Sequence, residues 1–232
     1  MVVNIAIDGT SGSGKSTVAG KLADKLHYYH LNTGQLYRAY ALKCLNIGVV
    51  EPERDDVLNL IKNTKVEVKF INGKQSTYLD GENVTNQLND AEISRVASII
   101  SPFRELRECV IEIQRSMAKL HNIIIEGRDI GTVIIPNAKY KFFVTASVEA
   151  RAERRYKQLI EAGKNVDYND ILNGLKERDE KDTQREISPL IKAYDAILVD
   201  TSNLGIEEVV DLMLSKIDKK DFRSRLDDEC QK

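Results

Sequence analysis

Three glycines, a lysine and a serine near the start of the sequence have the spacing that holds a phosphate chain. The segment Gly9–Ser16, GTSGSGKS, fits the pattern GxxxxGK followed by Ser or Thr at every fixed position. In such a loop the backbone N–H groups point inward, and the lysine reaches the β- and γ-phosphates. The serine hydroxyl is placed to bind Mg²⁺. The segment therefore predicts a site for a nucleoside triphosphate with Mg²⁺ as its cofactor.

The sequence around the loop also fits this prediction. An apolar run, Val3–Ile7, precedes the loop, and a helical pattern follows it. A glycine turn that only joins a strand to a helix would need neither the lysine nor the serine. Lys15 is expected to act on the transferred phosphoryl group, and Ser16 to hold the metal ion. The predicted ATP-binding residues are Gly9, Thr10, Ser11, Gly12, Ser13, Gly14, Lys15, Ser16 and Thr17.

The loop alone does not say what is done with the triphosphate, because ATPases, GTPases and small-molecule kinases share it. A GTPase would need a guanine-reading segment such as NKxD, which the sequence lacks. Motor and transporter ATPases are normally larger or modular. A kinase for a small molecule fits the 232 residues best.

Arginines form a second set of candidate residues. An acceptor that itself carries a phosphate needs several cations, and the planar fork of arginine suits that task. Arg128 follows an apolar run, and ligands of open α/β sheets bind at the carboxyl ends of the strands. For the arginines between residues 151 and 186, a solvated helical face is the alternative interpretation. The candidates are Arg38, Arg107, Arg128, Arg154, Arg155, Arg178 and Arg185.

Short apolar runs alternate with helical periodicity along the chain, which is typical of a parallel sheet covered on both faces. Apolar residues at steps of three and four predict a helix over Phe103–Leu120. The fold class is therefore α/β, with a P-loop NTPase fold and a five-stranded parallel sheet covered by helices. The predicted strands are Val3–Ile7, Tyr28–Leu31, Asn122–Glu126, Tyr140–Thr145 and Ala196–Asp200.

Three segments depart from this alternation within and after a main domain of residues 1–217. Lys65–Val84 alternates, turns at Asn72-Gly73 and alternates again, which predicts an antiparallel hairpin in a small insertion of about residues 63–90. The charge-rich residues 151–186 are predicted to form a helical lid. Residues 218–232 have little to bury and are predicted to be a disordered, charged tail.

Composition and charge narrow the class of partner. The chain has 34 basic and 36 acidic residues, so no global field draws it onto nucleic acid or a membrane. Its three cysteines show no CxxC spacing, which argues against a disulfide framework or a zinc site. The first residues lack the features of a signal peptide, and no apolar run approaches the ~20 residues that span a bilayer. We expect a cytoplasmic monomer whose partners are small nucleotides.

Four segments together resemble the bacterial cytidylate kinases, which are nucleoside monophosphate kinases. They occur in the order IAIDGTSGSGKSTVAGKLADKL, LNTGQLYRA, IIEGRDIGTVIIPNAKYKFFVTAS and LKERDEKDTQRE, between about Ile5 and Ile217. The first segment is shared by many families, whereas GRDIGTVIIPNA and ERDEKD are specific. The resemblance implies transfer of the γ-phosphoryl group of MgATP to CMP or dCMP, with CDP or dCDP and ADP as products.

The resemblance also implies roles for single residues. Arg154 would act from the lid on the ATP phosphates, and with Lys15, Arg128 and Arg185 it would form the catalytic set. The residues that would hold the CMP phosphate are Thr33, Arg38, Arg128 and Arg185. Those that would face cytosine are Ser98, Arg107 and Asp129, and those that would reach the sugar are Arg178 and Asp182.

The chemistry of the base agrees with this assignment. Cytosine offers an amino donor where uracil offers a carbonyl, so an ionised Asp129 would accept from cytosine and face an unpaired acceptor in uracil. Such a desolvated mismatch costs roughly a few kcal/mol. Many relatives have Asp where this chain has Asn32 and Glu126, and neither residue is assigned a role. Two alternatives remain: a kinase for UMP, AMP or shikimate, and a P-loop module that senses a nucleotide without transferring phosphate.

Overall fold

The computed structural model describes residues 2–71 and 73–222, in which strands and helices alternate. The strands are β1 (Asn4–Gly9), β2 (Tyr29–Asn32), β3 (Val66–Ile71), β4 (Lys74–Leu79), β5 (Glu82–Asn83), β6 (Ile123–Gly127), β7 (Tyr140–Thr145) and β8 (Ile197–Asp200). The helices are α1 (Lys15–Leu26), α2 (Thr33–Asn46), α3 (Arg54–Lys62), α4 (Ala91–Ile100), α5 (Arg104–Leu120), α6 (Val148–Glu161), α7 (Tyr168–Gln184) and α8 (Ile206–Leu214). All five core strands predicted from the sequence are present, with ends shifted by at most two residues.

Five strands form one parallel sheet in the order β2-β6-β1-β7-β8, which confirms the predicted fold class. Ile5 and Ile7 pack with residues of α1 and α8, whereas Ala6 packs on the other face with Ala118 of α5. This alternation is the two-residue period of a strand buried on both sides. Because β1 is the central strand, the phosphate loop that follows it lies in the middle of the carboxyl edge.

The insertion forms a separate antiparallel sheet of β3, β4 and β5. The predicted hairpin is confirmed, and the short strand β5 extends it. Asn72, one of the two predicted turn residues, lies outside the described residues. Strand β4 lies against β2 and α2, and a 3₁₀ turn, Thr85–Gln87, leads from the sheet towards α4. The insertion thus contacts the edge of the main sheet at the start of α2.

Helices α6 and α7 contain the segment predicted as a lid, and they pack against each other. None of the residues of α7 is buried. Polar contacts therefore carry much of its attachment to the rest of the molecule. The lid role itself stays a prediction.

The first residues of the predicted tail are ordered against the sheet. Lys219–Asp221 forms a 3₁₀ turn, and the Asp221 carboxylate accepts hydrogen bonds from Tyr140 and, at 2.6 Å, from Lys139. Residues 223–232 of the predicted tail lie outside the described residues. No helix in the described part of the chain combines the length and apolar character needed to cross a membrane.

Candidate active site

The phosphate loop joins β1 to α1 and depends on glycine at particular positions. A Cβ atom on Gly9 would lie 1.8 Å from the carbonyl oxygen of Val144, because β1 and β7 run side by side at this point. Gly12 and Gly14 have φ angles of +76° and +87°, in the left-handed region that glycine adopts most readily. These positions shape a loop whose backbone can wrap around an anion.

Lys15 lies within its own loop. Its Nζ atom donates a hydrogen bond of 2.5 Å to the carbonyl oxygen of Thr10. Burial, together with the positive charge of Arg128, holds the pKa of Lys15 well below its usual range. An anion beside Lys15 would favour its charged form, as expected for a lysine that contacts phosphates.

A polar network surrounds the Ser16 hydroxyl. Ser16 Oγ donates to Glu126 Oε2 at 3.0 Å, and Asn32 Nδ2 lies 3.3 Å from Ser16 Oγ. The other carboxylate oxygen of Glu126 lies 3.1 Å from His30 Nε2. Burial opposes ionisation of Glu126, but the hydrogen bond and charge of His30 and the charge of Lys15 outweigh it and lower its pKa. Glu126 is thus an ionised carboxylate beside the hydroxyl predicted to bind the metal.

A cleft of about 250 Å³ opens beside this network. It lies at the carboxyl edge of the parallel sheet, where ligands of such folds bind. The predicted site residues that line it are Ser11, Gly12, Lys15, Ser16, Thr33, Arg38, Ser98, Arg107, Arg128, Asp129, Arg178, Asp182 and Arg185. Residues far apart in the sequence therefore meet around one cavity.

A buried ion pair lies in the wall of the cleft. The Arg107 guanidinium donates a hydrogen bond to the Asp129 carboxylate, and both side chains are buried. Burial disfavours the charged form of Arg107, but the nearby Tyr37 and Asp129 outweigh it and raise its pKa. Arg185 Nη2 lies 4.0 Å from the second Asp129 oxygen. Two arginines thus lie beside the Asp129 carboxylate.

Two further hydrogen bonds at the cleft connect the end of β6 to α2 and α7. Arg128 Nε donates to Asp182 Oδ2 at 2.7 Å, and Thr33 Oγ1 donates to the Glu126 carbonyl oxygen at 2.7 Å. Burial opposes ionisation of Asp182, but the charge and hydrogen bond of Arg128 outweigh it and lower its pKa. Side chains from the main sheet and from the predicted lid therefore line the same space.

Several polar atoms of the cleft-lining residues have no hydrogen-bond partner among the described residues. They are buried, and buried polar atoms are normally paired. They are Tyr37 Oη, Arg38 Nε, Arg107 Nε and Arg185 Nη2. Burial also lowers the pKa of Arg38 and of Arg185. A ligand with anionic and acceptor oxygens would complete these hydrogen bonds and favour the charged arginines.

Arg154 is the predicted catalytic residue that lies apart from the cleft. Its guanidinium donates to Thr201 Oγ1 at 3.1 Å and to the Thr201 carbonyl oxygen. Its action on the ATP phosphates stays a prediction. Arg155, another candidate arginine, also lies outside the cleft lining, and its guanidinium donates to Gln158 Oε1 at 3.1 Å. The remaining predicted residues that do not line the cleft belong to the phosphate loop, and they are Gly9, Thr10, Ser13, Gly14 and Thr17.

The structure adds residues that sequence reasoning did not assign. Tyr37 lines the cleft one position before Arg38, and Asn32 and Glu126 line it as well. The part of the cleft wall that α4 forms could have been predicted from the spacing of small residues in the sequence. Small residues at steps of three and four form one helical face there together with the predicted Ser98, and the additions are Ser94, Ala97 and Ser101. The remaining additions are Gly34 and Gly127.

Comparisons with known proteins agree on one family. The family model described as cytidylate kinase matches residues 5–219. A cytidylate kinase of Caldicellulosiruptor saccharolyticus is 45% identical over 212 residues, which cover 91% of this chain and 94% of the relative. A cytidylate kinase of Clostridium perfringens is 41% identical over 218 residues, covering 94% and 99%.

A solved structure shares the fold. It is an uncharacterized protein from Eubacterium ventriosum, with a TM-score of 0.50 and 16% identity. The comparison covers 94% of this chain and 99% of that one. At this identity the similarity concerns the fold alone.

Proposed function

The chain belongs to the cytidylate kinase family, and from this premise we propose that it transfers the γ-phosphoryl group of ATP to CMP or dCMP, forming ADP and CDP or dCDP. The observation that carries the proposal is the layout of the cleft. A phosphate loop lies at one side, unpaired arginine atoms lie within it, and the buried Asp129 carboxylate lies in its wall. This layout suits two anionic groups and one base with an amino donor.

The phosphate loop would hold the donor. Its backbone N–H groups and the start of α1 attract the triphosphate, and Lys15 would exchange the Thr10 carbonyl for the β- and γ-phosphates. We assign Arg154 to the same phosphates, which requires it to leave Thr201. Closure of α6 and α7 over the donor would exclude water that otherwise hydrolyses ATP.

The acceptor phosphate would lie against Thr33, Arg38, Arg128 and Arg185. Arginine forks bind phosphate oxygens in pairs, and the unpaired atoms of Arg38 and Arg185 support this assignment. We place the sugar near Arg178 and Asp182. The acceptor oxygen is ionised at neutral pH, so the reaction needs alignment and charge neutralisation rather than a strong base.

The cytosine would lie by Ser98, Arg107 and Asp129. An ionised Asp129 accepts from the amino group, and Arg107 or Ser98 donates to the ring acceptors. Uracil would present a carbonyl to the same carboxylate. The buried Arg107–Asp129 pair therefore supports selection of cytosine over uracil.

The donor oxygens around Ser16 fit Mg²⁺. A hydroxyl and an ionised carboxylate, Ser16 and Glu126, lie 3.0 Å apart beside the loop, and Mg²⁺ prefers oxygen ligands from one or two side chains plus phosphates and water. The ion would neutralise charge on the β- and γ-phosphates. We assign Ser16 as its protein ligand and Glu126 to the water around it.

Three further expectations concern the whole protein. We propose a cytoplasmic monomer that binds no nucleic acid. The nearly balanced charge, with 34 basic and 36 acidic residues, supports the last of these. The arginines of the cleft are placed for small nucleotides rather than spread over an outer surface.

An acceptor panel tests the proposed function. ATP-dependent turnover is measured with CMP, dCMP, UMP, AMP and shikimate, each with purified wild type and Lys15→Ala. We expect the highest kcat/KM with CMP or dCMP and a loss of turnover of about 100-fold or more in the variant, because Lys15 contacts the transferred group. Preference for UMP, AMP or shikimate would contradict the cytosine assignment. Binding of ATP without transfer to any acceptor would favour a sensing module.

A further inference from the structure

The side-chain amide of Gln75 pairs with both backbone groups of Asn32. Gln75 lies on β4 of the insertion, and its Oε1 accepts from the Asn32 N–H at 2.7 Å. Its Nε2 lies 3.4 Å from the Asn32 carbonyl oxygen and 3.1 Å from Thr77 Oγ1. Thr77 Oγ1 in turn donates to Gln35 Oε1 of α2 at 2.9 Å. The insertion therefore contacts the start of α2 through a chain of hydrogen bonds.

The position of Asn32 at the edge of the sheet explains why a side chain, rather than another strand, pairs with its backbone groups. Strand β2 is an edge strand of the parallel sheet, and Asn32 is its last residue. Backbone groups on the outer side of an edge strand have no neighbouring strand, and they need other partners when the edge is covered. The Gln75 amide has one acceptor and one donor group, so it pairs with the edge as a strand would.

The residue held in this way begins the acceptor side of the cleft. Asn32 caps α2, Thr33 follows it, and Arg38 lies further along the same helix. Thr33 Oγ1 is fixed from the sheet side by its hydrogen bond to the Glu126 carbonyl. The start of α2 is thus held at two points, one on β6 and one on the insertion.

We infer that Gln75 is a positioning residue for the acceptor phosphate: through the Asn32 backbone it holds Thr33 and Arg38 at the place where that phosphate binds. Gln75 does not line the cleft, so it acts through these residues rather than on the substrate. The inference rests on the proposed function. It gives the insertion a direct part in binding the acceptor.

The test compares Gln75→Ala with Gln87→Ala, an exposed glutamine of the same insertion. The KM for CMP should rise about 10-fold in Gln75→Ala, because the loss of two backbone contacts is worth about one factor of ten in binding. The KM for ATP should change by less than about twofold, since among the described residues Asn32 contacts the phosphate loop only through the 3.3 Å approach of its Nδ2 to Ser16 Oγ. Gln87→Ala should match the wild type in both constants.

Two further variants separate positioning from a general structural role. Gln75→Glu keeps the acceptor for the Asn32 N–H and loses the donor, so its KM for CMP should lie between those of wild type and Gln75→Ala. In an Arg38→Ala background, Gln75→Ala should have a smaller effect on the KM for CMP, because Arg38, one of the two residues that Gln75 positions, is absent.

Three results would overturn the inference. The first is a similar rise in the KM values for CMP and ATP. The second is an effect of Gln75→Ala that is as large without Arg38 as with it. The third is an unchanged KM for CMP in Gln75→Ala when the wild type is active. A wild type that does not phosphorylate CMP would instead contradict the proposed function.

Discussion

Asp8 is a buried carboxylate that fixes the turn after Asp129. It lies on β1, and its two oxygens accept hydrogen bonds from the backbone N–H groups of Ile130, at 2.7 Å, and Gly131, at 2.8 Å. These residues directly follow Asp129. Burial raises the pKa of Asp8 to about 6, although the two backbone hydrogen bonds oppose the shift. Asp8 therefore fixes the turn that follows Asp129, although burial disfavours the ionised form of Asp8.

The raised pKa predicts a pH-dependent difference in stability between wild type and Asp8→Asn. The folded form binds this proton more tightly than the unfolded chain, whose value is 3.8. The charge therefore destabilises the fold above about pH 6, and stability returns as pH falls through that value. Between pH 7.5 and 5, the wild type should gain on the order of 1 kcal/mol in free energy of unfolding relative to the variant.

Urea unfolding of wild type and Asp8→Asn at the two pH values measures this difference in the free energy of unfolding. The difference between the proteins isolates Asp8 from the other carboxylates, because those titrate in both. A difference that stays the same at the two pH values would show that Asp8 does not titrate in this range.

At the scale of elements, one arginine joins the predicted lid to the phosphate loop. Arg151 on α6 is buried, and its guanidinium donates to the carbonyl oxygens of Ala146 and Ser11, each at 3.0 Å. Its Nη2 donates to Asp179 Oδ2 of α7 at 2.6 Å. Arg151 therefore links α7 to the phosphate loop through its hydrogen bonds to Asp179 and Ser11.

Asp179→Asn should loosen α7 over the donor site. The buried Arg151 would lose its ionised partner, and removing one member of a buried pair is strongly unfavourable. We expect the KM for ATP to rise about 10-fold and ATP hydrolysis without acceptor to increase, because water reaches the phosphates. Glu177→Gln, at an exposed position of the same helix, serves as the control. Steady-state kinetics with and without CMP measures both effects, and an unchanged KM for ATP would argue against the link.

The extent of sequence-based prediction differs between elements for a physical reason. The phosphate loop and the core strands were predictable because strand, glycines and helix are adjacent in the chain and follow local rules. The insertion was predictable as a hairpin, since alternation is also local. Its contact with β2 was not, because Gln75 and Asn32 lie 43 positions apart and the contact forms only when both sheets are in place. The ordered turn at Lys219–Asp221 likewise depends on distant partners.

At the scale of the whole molecule, the proposed acceptor site is assembled from separate elements. Arg107 comes from α5, Asp129 follows β6, and Arg185 ends α7. The resemblance to the cytidylate kinases assigned all three residues to the CMP site. The charge pattern alone left a solvated helical face as an alternative for Arg185. Tyr37 was not assigned to the site, because nothing in the local pattern shows that its hydroxyl is buried without a partner among the described residues. The proposed selection of the base therefore depends on contacts that form only in the assembled fold.

The ratio of kcat/KM for CMP to that for UMP, measured in wild type and in Asp129→Asn, tests whether Asp129 selects cytosine. We expect a ratio of about 100 or more in the wild type, because uracil would leave the buried carboxylate facing an acceptor. In Asp129→Asn the ratio should fall at least about tenfold, since an amide can donate to the uracil carbonyl. A wild-type ratio near one, or a ratio that the substitution leaves unchanged, would contradict the claim that Asp129 reads the base of the acceptor.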